Sequence, residues 1–266
     1  MIDRRLFLKD LGKFGIAMVV VSACGSGATS DPASTTSLSV MGGSTTTPPV
    51  PGSSSTPVSS TTPPLGNGFG GSTAWERVNL GSVSAYILAR GGEAAVIDTG
   101  TAGSAPAIAV SLGQIGLGWP DVSHVVATHL HPDHIGSWAA VMDGAASASG
   151  YAGNADLPSI RSPRPLVGLS HGDSVFDLRV IATPGHTPGH ISLLDESAGI
   201  LVAGDSLNGT DGTGLTGANP QYTSDMAAAN DSIAKMAGFD FSVVLVGHGE
   251  PVVENGSALV QALASG

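Results

Sequence analysis

Four side chains of the kind that bind metals fall within the six residues 129–134, whose sequence is His-Leu-His-Pro-Asp-His. The segment directly follows the apolar run 122–128, which is typical of a buried strand. Alternate residues at the end of a strand point to the same face, so His129 and His131 are expected to lie side by side. The turn that follows can bring Asp133 and His134 to an adjacent point. The segment therefore predicts ligands for two neighbouring metal ions.

Three further ligand-type side chains each come at the end of an apolar run. His186 lies in Thr-Pro-Gly-His-Thr-Pro-Gly-His, Asp205 in Ala-Gly-Asp-Ser and His248 in Val-Gly-His-Gly. A Ser-His-Asp interpretation built on Ser206 is disfavoured, because Ser206 does not lie in a Gly-x-Ser-x-Gly motif and the chain's histidines already serve as candidate ligands. His124 and His171 are interpreted as structural residues.

Short apolar runs rich in Val and Ile predict two groups of strands. The first group comprises 75–80, 83–90, 93–98 and 122–128, and the second comprises 174–182, 190–195, 199–203 and 241–246. Helices are expected at 105–117, 132–142, 224–237 and 255–263. Strands interleaved with helices in two similar halves predict a layered α/β domain, with two sheets face to face and helices outside.

The first 24 residues have the layout of a signal peptide. Arg4, Arg5 and Lys13 give a positively charged start, and the uncharged run 14–23 follows. The stretch Arg-Arg-Leu-Phe-Leu-Lys resembles the twin-arginine export signal. The Val-Ser-Ala-Cys that ends at Cys24, the only cysteine, resembles a bacterial lipoprotein processing site. These resemblances imply export and a lipid on Cys24, which would anchor the protein to the outer face of the cell membrane or place it in the periplasm.

Residues 25–73 are almost wholly Ser, Thr, Pro and Gly, a composition that predicts a disordered tether. The folded domain is therefore assigned to 74–266. The first 73 residues hold four basic and three acidic side chains, which leaves the domain with 6 Lys and Arg against 18 Asp and Glu. Such a negative charge repels phosphate backbones and disfavours nucleic acid as a substrate or partner.

The metal-ligand motifs, in this order along the chain, resemble those of the metallo-β-lactamase superfamily over nearly all of 74–266. The resemblance implies a four-layer αββα sandwich with two metal ions, of which zinc is the expected species and iron or manganese remain open. It assigns His129, His131 and His186 to the first ion. Asp133, His134 and His248 are assigned to the second ion, and Asp205 is assigned to both.

The same resemblance implies a hydrolase that acts on a small-molecule substrate. A water shared by two cations loses a proton near neutral pH and can attack an ester, lactone or thioester carbonyl. Asp133 is the candidate for taking and returning the proton. Asp98 and His190 are expected to orient ligands without binding metal.

The Gly-rich loop 206–223 is a candidate flap over the metals. Leu207, Asn208, Leu215, Pro220 and Tyr222 on this loop, with Trp138 and Tyr151 from other segments, are the candidate substrate contacts. Glyoxalase II and the homoserine-lactone lactonases share the ligand set, so a thioesterase and a lactonase both remain open. The lactonases usually carry a tyrosine where this chain has Asn208. A surface module that binds metal without catalysis is the alternative of a different class.

Overall fold

The computed structural model describes residues 73–266. The expected signal peptide with Cys24, and all of the expected tether except Thr73, lie outside the described residues and stay predictions.

The first sheet has six strands, and the order of the strands in the sheet is their order in the chain. They are β1 (Ala74–Asn79), β2 (Ser84–Arg90), β3 (Glu93–Ile97), β4 (Val122–Ala127), β5 (Ser149–Gly153) and β6 (Leu166–Leu169). The first three strands pair antiparallel, and β3 to β6 pair parallel. The carboxyl ends of β3 and β4 therefore meet at one edge of the sheet.

The second sheet has five strands, and a separate two-stranded hairpin follows its fourth strand. The strands after β6 are β7 (Ser174–Val175), β8 (Leu178–Ala182), β9 (Ile191–Asp195), β10 (Ile200–Gly204), the hairpin β11 (Leu207–Gly209) and β12 (Leu215–Gly217), and β13 (Val243–Val246). Their order in the sheet is β13-β10-β9-β8-β7, with β10 and β13 parallel.

Within the described residues, five α-helices connect or flank the sheets: α1 (Ala105–Gln114), α2 (Pro132–Ile135), α3 (Trp138–Gly144), α4 (Met226–Met236) and α5 (Gly256–Ser265). Asp225 caps α4 by accepting a hydrogen bond from Ala228 N, as its position before the helix predicts. Within 73–266, none of the helices is long and apolar enough to cross a bilayer.

The period-2 alternation of the strands explains the four layers. Ile87 and Val96 face α1 and α3, whereas their neighbours Leu88 and Ile97 face the second sheet. On the far side of the second sheet, Leu201 packs with α4 and α5. The expected αββα sandwich is confirmed.

Two expected elements are interrupted. The strand expected at 174–182 is a tight hairpin, because Phe176 and Asp177 adopt positive φ angles of 52° and 57° between β7 and β8. The helix expected at 132–142 breaks after α2, where Gly136 packs against the 101–102 backbone: a Cβ at Gly136 would lie 2.5 Å from Ala102 N. Only glycine fits this close approach.

We predict that Arg164→Met lowers the free energy of unfolding by about 1–3 kcal/mol, because partly buried carbonyls lose a charged donor. The Arg164 guanidinium donates to Met142 O and Ala145 O at 2.9 Å each and also to Ala146 O, so it satisfies the carbonyls at the end of α3. Arg161→Met is the matched control, since Arg161 is exposed. Denaturant unfolding of both variants measures the effect, and equal losses would contradict the role of Arg164.

Candidate metal centre

The first cluster of ligand atoms is formed by three histidines from two loops. His129 and His131 follow β4, and His186 lies in the loop between β8 and β9. His131 Nδ1 lies 3.1 Å from His129 Nε2 and 2.9 Å from His186 Nε2. Three imidazole nitrogens thus converge on one point, as the ligands of a metal ion do.

The second cluster combines Asp133 and His134 of α2 with His248, which follows β13. Asp133 Oδ2 lies 3.3 Å from His248 Nε2 and 3.7 Å from His134 Nε2. The ligand atoms of this second cluster come from segments that follow strands of both sheets, β4 of the first and β13 of the second. A second cation would therefore hold two distant parts of the chain together.

Asp205, at the end of β10, lies between the two clusters. Its Oδ2 is 3.3 Å from both His186 Nε2 and His248 Nε2, and its Oδ1 is 3.3 Å from His134 Nε2. The side chain is buried, and Oδ1 has no hydrogen-bond partner. A buried carboxylate oxygen without a partner is costly, and a cation beside it removes that cost. The residues present therefore fit metal ions.

Gly247 leaves the space that Asp205 occupies. A Cβ at Gly247 would lie 2.1 Å from Asp205 Oδ1 and 2.7 Å from His134 Cε1. No side chain fits there without moving the carboxylate.

Hydrogen bonds on the outer side orient the histidine rings. Asp98 accepts from Thr128 N and Thr128 Oγ1, and its Oδ2 accepts from His134 Nδ1, each at 2.8 Å. Thr128 Oγ1 in turn accepts from His129 Nδ1 at 3.0 Å. With Nδ1 bonded outward in both histidines, Nε2 of each ring faces the clusters, where it can bind a metal once it carries no proton.

His248 and His190 are held in a similar way. His248 Nδ1 donates to Ser82 O at 2.5 Å. His190 Nε2 accepts from Asp205 N at 3.0 Å, while His190 Nδ1 lies 2.8 Å from Thr183 Oγ1. His190 therefore contacts the backbone of a candidate ligand, and its own nitrogens are fully used. The role expected for His190, orienting a ligand without binding metal, stays a prediction.

The charges of the side chains differ between the two clusters. Burial lowers the pKa of His129 well below its usual value and that of His186 to about 4, so both are neutral and present lone pairs. Burial also acts on His134, but Asp98 and Asp205 outweigh it and raise the pKa to about 10. Hydrogen bonds to Asp133 and Asp205 raise the pKa of His248 to about 10. Without metal, the positive charge of the second cluster therefore comes from protonated His134 and His248.

Asp156 is a supporting residue that the sequence analysis missed. It is fully buried, and its carboxylate accepts hydrogen bonds from Leu130 N at 3.1 Å, Thr187 Oγ1 at 2.7 Å and Gly189 N at 2.7 Å. It joins the loop of His129 and His131 to the loop of His186. An isolated Asp before a Leu-Pro dipeptide carries no motif, so only its spatial contacts reveal it.

A cavity of 680 Å³ opens beside both clusters. It is lined by the seven candidate ligands except His129 and His134, together with Ser82, Pro132, Asn208, Asn219 and Tyr222. Asn208 and Tyr222 are thus at the cavity, as expected, and Tyr222 is 61% exposed.

Five of the expected substrate contacts do not line the cavity. The segment 206–223, expected to be a loop, contains the hairpin β11–β12, whose Leu207 and Leu215 are buried in the core with α4 and α5. Pro220 is exposed and lies outside the cavity lining.

Trp138 is buried in the core under the first sheet, where its Nε1 donates to Ser162 Oγ. Tyr151, on β5, stacks on His124 at 5.3 Å. The side chains of both residues pack within the fold and do not line the cavity, which corrects their assignment to the substrate pocket.

The remaining polar candidates also stay outside the cavity. Ser206 is buried and donates to Ala203 O at 2.6 Å. His171 contacts Ala182 N. Neither Ser206, His171 nor His124 lines the cavity beside the clusters.

We predict that loading a divalent metal releases about two protons near neutral pH, because His134 and His248 must lose theirs to become ligands. Both pKa values are raised in the metal-free protein, so lowering the pH favours the protonated form and weakens metal binding. Calorimetric titration with zinc in buffers of different ionisation enthalpy counts the protons. Heats that do not depend on the buffer would contradict the prediction.

We also predict that Asp156→Ala weakens metal binding by the first cluster by at least about tenfold, the size expected for loss of an outer-shell partner. Asp143→Ala, on the exposed face of α3, is the control. Competition with a chromophoric chelator measures the affinity, and equal affinities of the two variants would argue against a role for Asp156.

Comparison with known proteins gives a consistent result. The family model of the metallo-beta-lactamase superfamily matches residues 78–248. The uncharacterized protein YobT of Bacillus subtilis (strain 168) is 29% identical over 157 residues, which cover 51% of this chain and 66% of that protein. A hydroxyacylglutathione hydrolase of Anaeromyxobacter dehalogenans (strain 2CP-C) is 39% identical over 127 residues, covering 46% of this chain and 45% of that enzyme. The matched regions therefore span less than two thirds of these relatives.

A solved structure has a similar fold. A metallo-beta-lactamase family protein from Thermus thermophilus superimposes with a TM-score of 0.56 at 23% identity, covering 72% of this chain and 78% of that one. The family match extends over more than half of the chain and includes all seven candidate ligands. The chain belongs to the metallo-beta-lactamase superfamily.

Proposed function

We propose that this chain is a binuclear zinc-dependent hydrolase that cleaves an ester, lactone or thioester bond of a small molecule. The observation that carries the proposal is Asp205, a buried carboxylate with an unpartnered oxygen that lies between two ligand clusters. The clusters open onto a cavity large enough for a small substrate.

The chemistry of the ligand atoms favours zinc. Each cluster offers imidazole nitrogens, and carboxylates complete the second one. Zinc is bound by such nitrogen and oxygen ligands, although iron and manganese accept them as well. Elemental analysis of the purified protein decides between these metals.

Residues of this chain would supply the other parts of a hydrolytic reaction. Two bound cations would act as Lewis acids toward a carbonyl oxygen and would lower the pKa of water. Asp133 lines the cavity, and its contacts with His248 and His134 lower the pKa of its carboxyl group. Its Oδ2 can accept the proton of an attacking water and return it to the leaving group. Pro132, Asn219 and Tyr222 would exclude water from the substrate.

Among the proposed bonds, a thioester is favoured by the similarity to hydroxyacylglutathione hydrolase, which is 39% identical over 127 residues. A lactone is favoured by the ligand set shared with the lactonases. This chain has Asn208 where they carry a tyrosine, but Tyr222 also lines the cavity and could take the place of that tyrosine. Hydrolysis of a panel of esters, lactones and thioesters distinguishes these bonds.

The proposed location is outside the cytoplasm, with the domain tethered through a lipid on Cys24. The support for it is the arrangement of Arg4, Arg5 and the apolar run before Cys24. Mass spectrometry of the membrane fraction would detect a diacylated or triacylated Cys24 as the mature N-terminus.

We predict that the protein hydrolyses one substrate class in a panel of esters, lactones, thioesters and phosphodiesters, and that a chelator abolishes this hydrolysis. Zinc should restore the activity after the chelator is removed. Asp205→Asn is expected to lower kcat/KM by at least about 100-fold, because loss of a carboxylate shared by both ions should cost at least as much as loss of an outer-shell partner.

Asp231→Asn, on the exposed face of α4, is the matched control and should retain activity. Full metal occupancy without turnover of any substrate would favour the surface metal-binding module. Hydrolysis that resists chelators would rule out the metal-dependent reaction.

A further inference from the structure

Thr223 contacts a candidate ligand from the outer side of the first cluster. Its Oγ1 donates to Asn219 O at 2.7 Å and lies 3.2 Å from His186 Nδ1. A hydroxyl group has one hydrogen to donate, so the remaining contact requires Thr223 to accept and His186 Nδ1 to donate. With its hydrogen on Nδ1, His186 presents the Nε2 lone pair to His131.

The same arrangement recurs at the neighbouring ligand. Thr128 Oγ1 donates to Asp98 Oδ2 and accepts from His129 Nδ1. Two threonines therefore perform the same task for two ligands of one cluster. Their surroundings differ, because Thr128 is fully buried whereas Thr223 follows the exposed Tyr222.

The segment that carries Thr223 is joined to the His186 loop by its backbone as well. Ser224 N donates to His186 O at 3.2 Å, and Asp225 N donates to Gly185 O at 2.9 Å. A Cβ at Gly185 would lie 2.3 Å from Ala229 N, so the loop packs directly on the start of α4. This close packing fixes the distance between the Thr223 hydroxyl and the His186 ring.

We propose that Thr223 is a positioning residue that fixes the tautomer and the ring orientation of His186. Asn219 and Tyr222, from the same segment, line the cavity. Thr223, which contacts the ligand His186, therefore directly follows a residue that faces the substrate cavity. The importance of the role for catalysis rests on the proposed metal-dependent function. The hydrogen bond itself does not depend on bound metal.

The test compares Thr223→Val, which removes the acceptor, with Thr223→Ser, which keeps it. Thr216→Val, exposed on β12, is the control. Long-range ¹H–¹⁵N correlation spectra of labelled histidines report which His186 nitrogen carries the hydrogen, in both the metal-free and the zinc-loaded protein. Zinc affinity, measured by chelator competition, is the second readout.

The wild type, Thr223→Ser and Thr216→Val should show one His186 tautomer with the hydrogen on Nδ1. Thr223→Val should show a mixture in the metal-free protein and a zinc affinity lower by about tenfold. An unchanged tautomer and an unchanged affinity in Thr223→Val would overturn the proposal. Since neither readout requires turnover, failure of the hydrolase proposal would leave this test decisive.

Discussion

Asp205 is a buried carboxylate with one oxygen that no hydrogen bond reaches, and this arrangement costs free energy unless positive charge lies beside it. The imidazoles of His134, His186 and His248 all lie within 3.3 Å of its oxygens. Neighbouring residues hold Asp205 in this position. Gly247 gives the carboxylate its space, and His190 holds its backbone amide.

The two sheets bring the ligands together because the loops that carry them follow β4, β10 and β13 and connect β8 to β9. Position alone does not make an imidazole a ligand, since the ring must also present the correct nitrogen. In four of the five histidines that are candidate ligands, an outward contact of Nδ1 leaves Nε2 facing the clusters. His131 is the exception and turns its Nδ1 inward.

The layers and the residues that form the two clusters could be predicted because both depend on local patterns. Apolar alternation identified most strands, and the spacing of residues 129–134 indicated the ligands. The pattern does not identify four strands, which are short and contain glycine: β5, β6, β11 and β12. The direction of a side chain depends on the packing of its helix or strand, so the assignment to the substrate pocket is wrong for Trp138, Tyr151, Leu207 and Leu215. Asp156 acts through residues distant in sequence, which no local pattern reveals.

The candidate ligands come from loops of both sheets, and this has a thermodynamic consequence. Cations at these clusters would bind the folded chain and not the unfolded chain, so they would act as reversible cross-links between the two halves of the sandwich. Free metal at a thousandfold excess over the dissociation constant would add about 4 kcal/mol to the free energy of unfolding. The lifetime of the domain in the presence of proteases would then follow the metal supply of its surroundings.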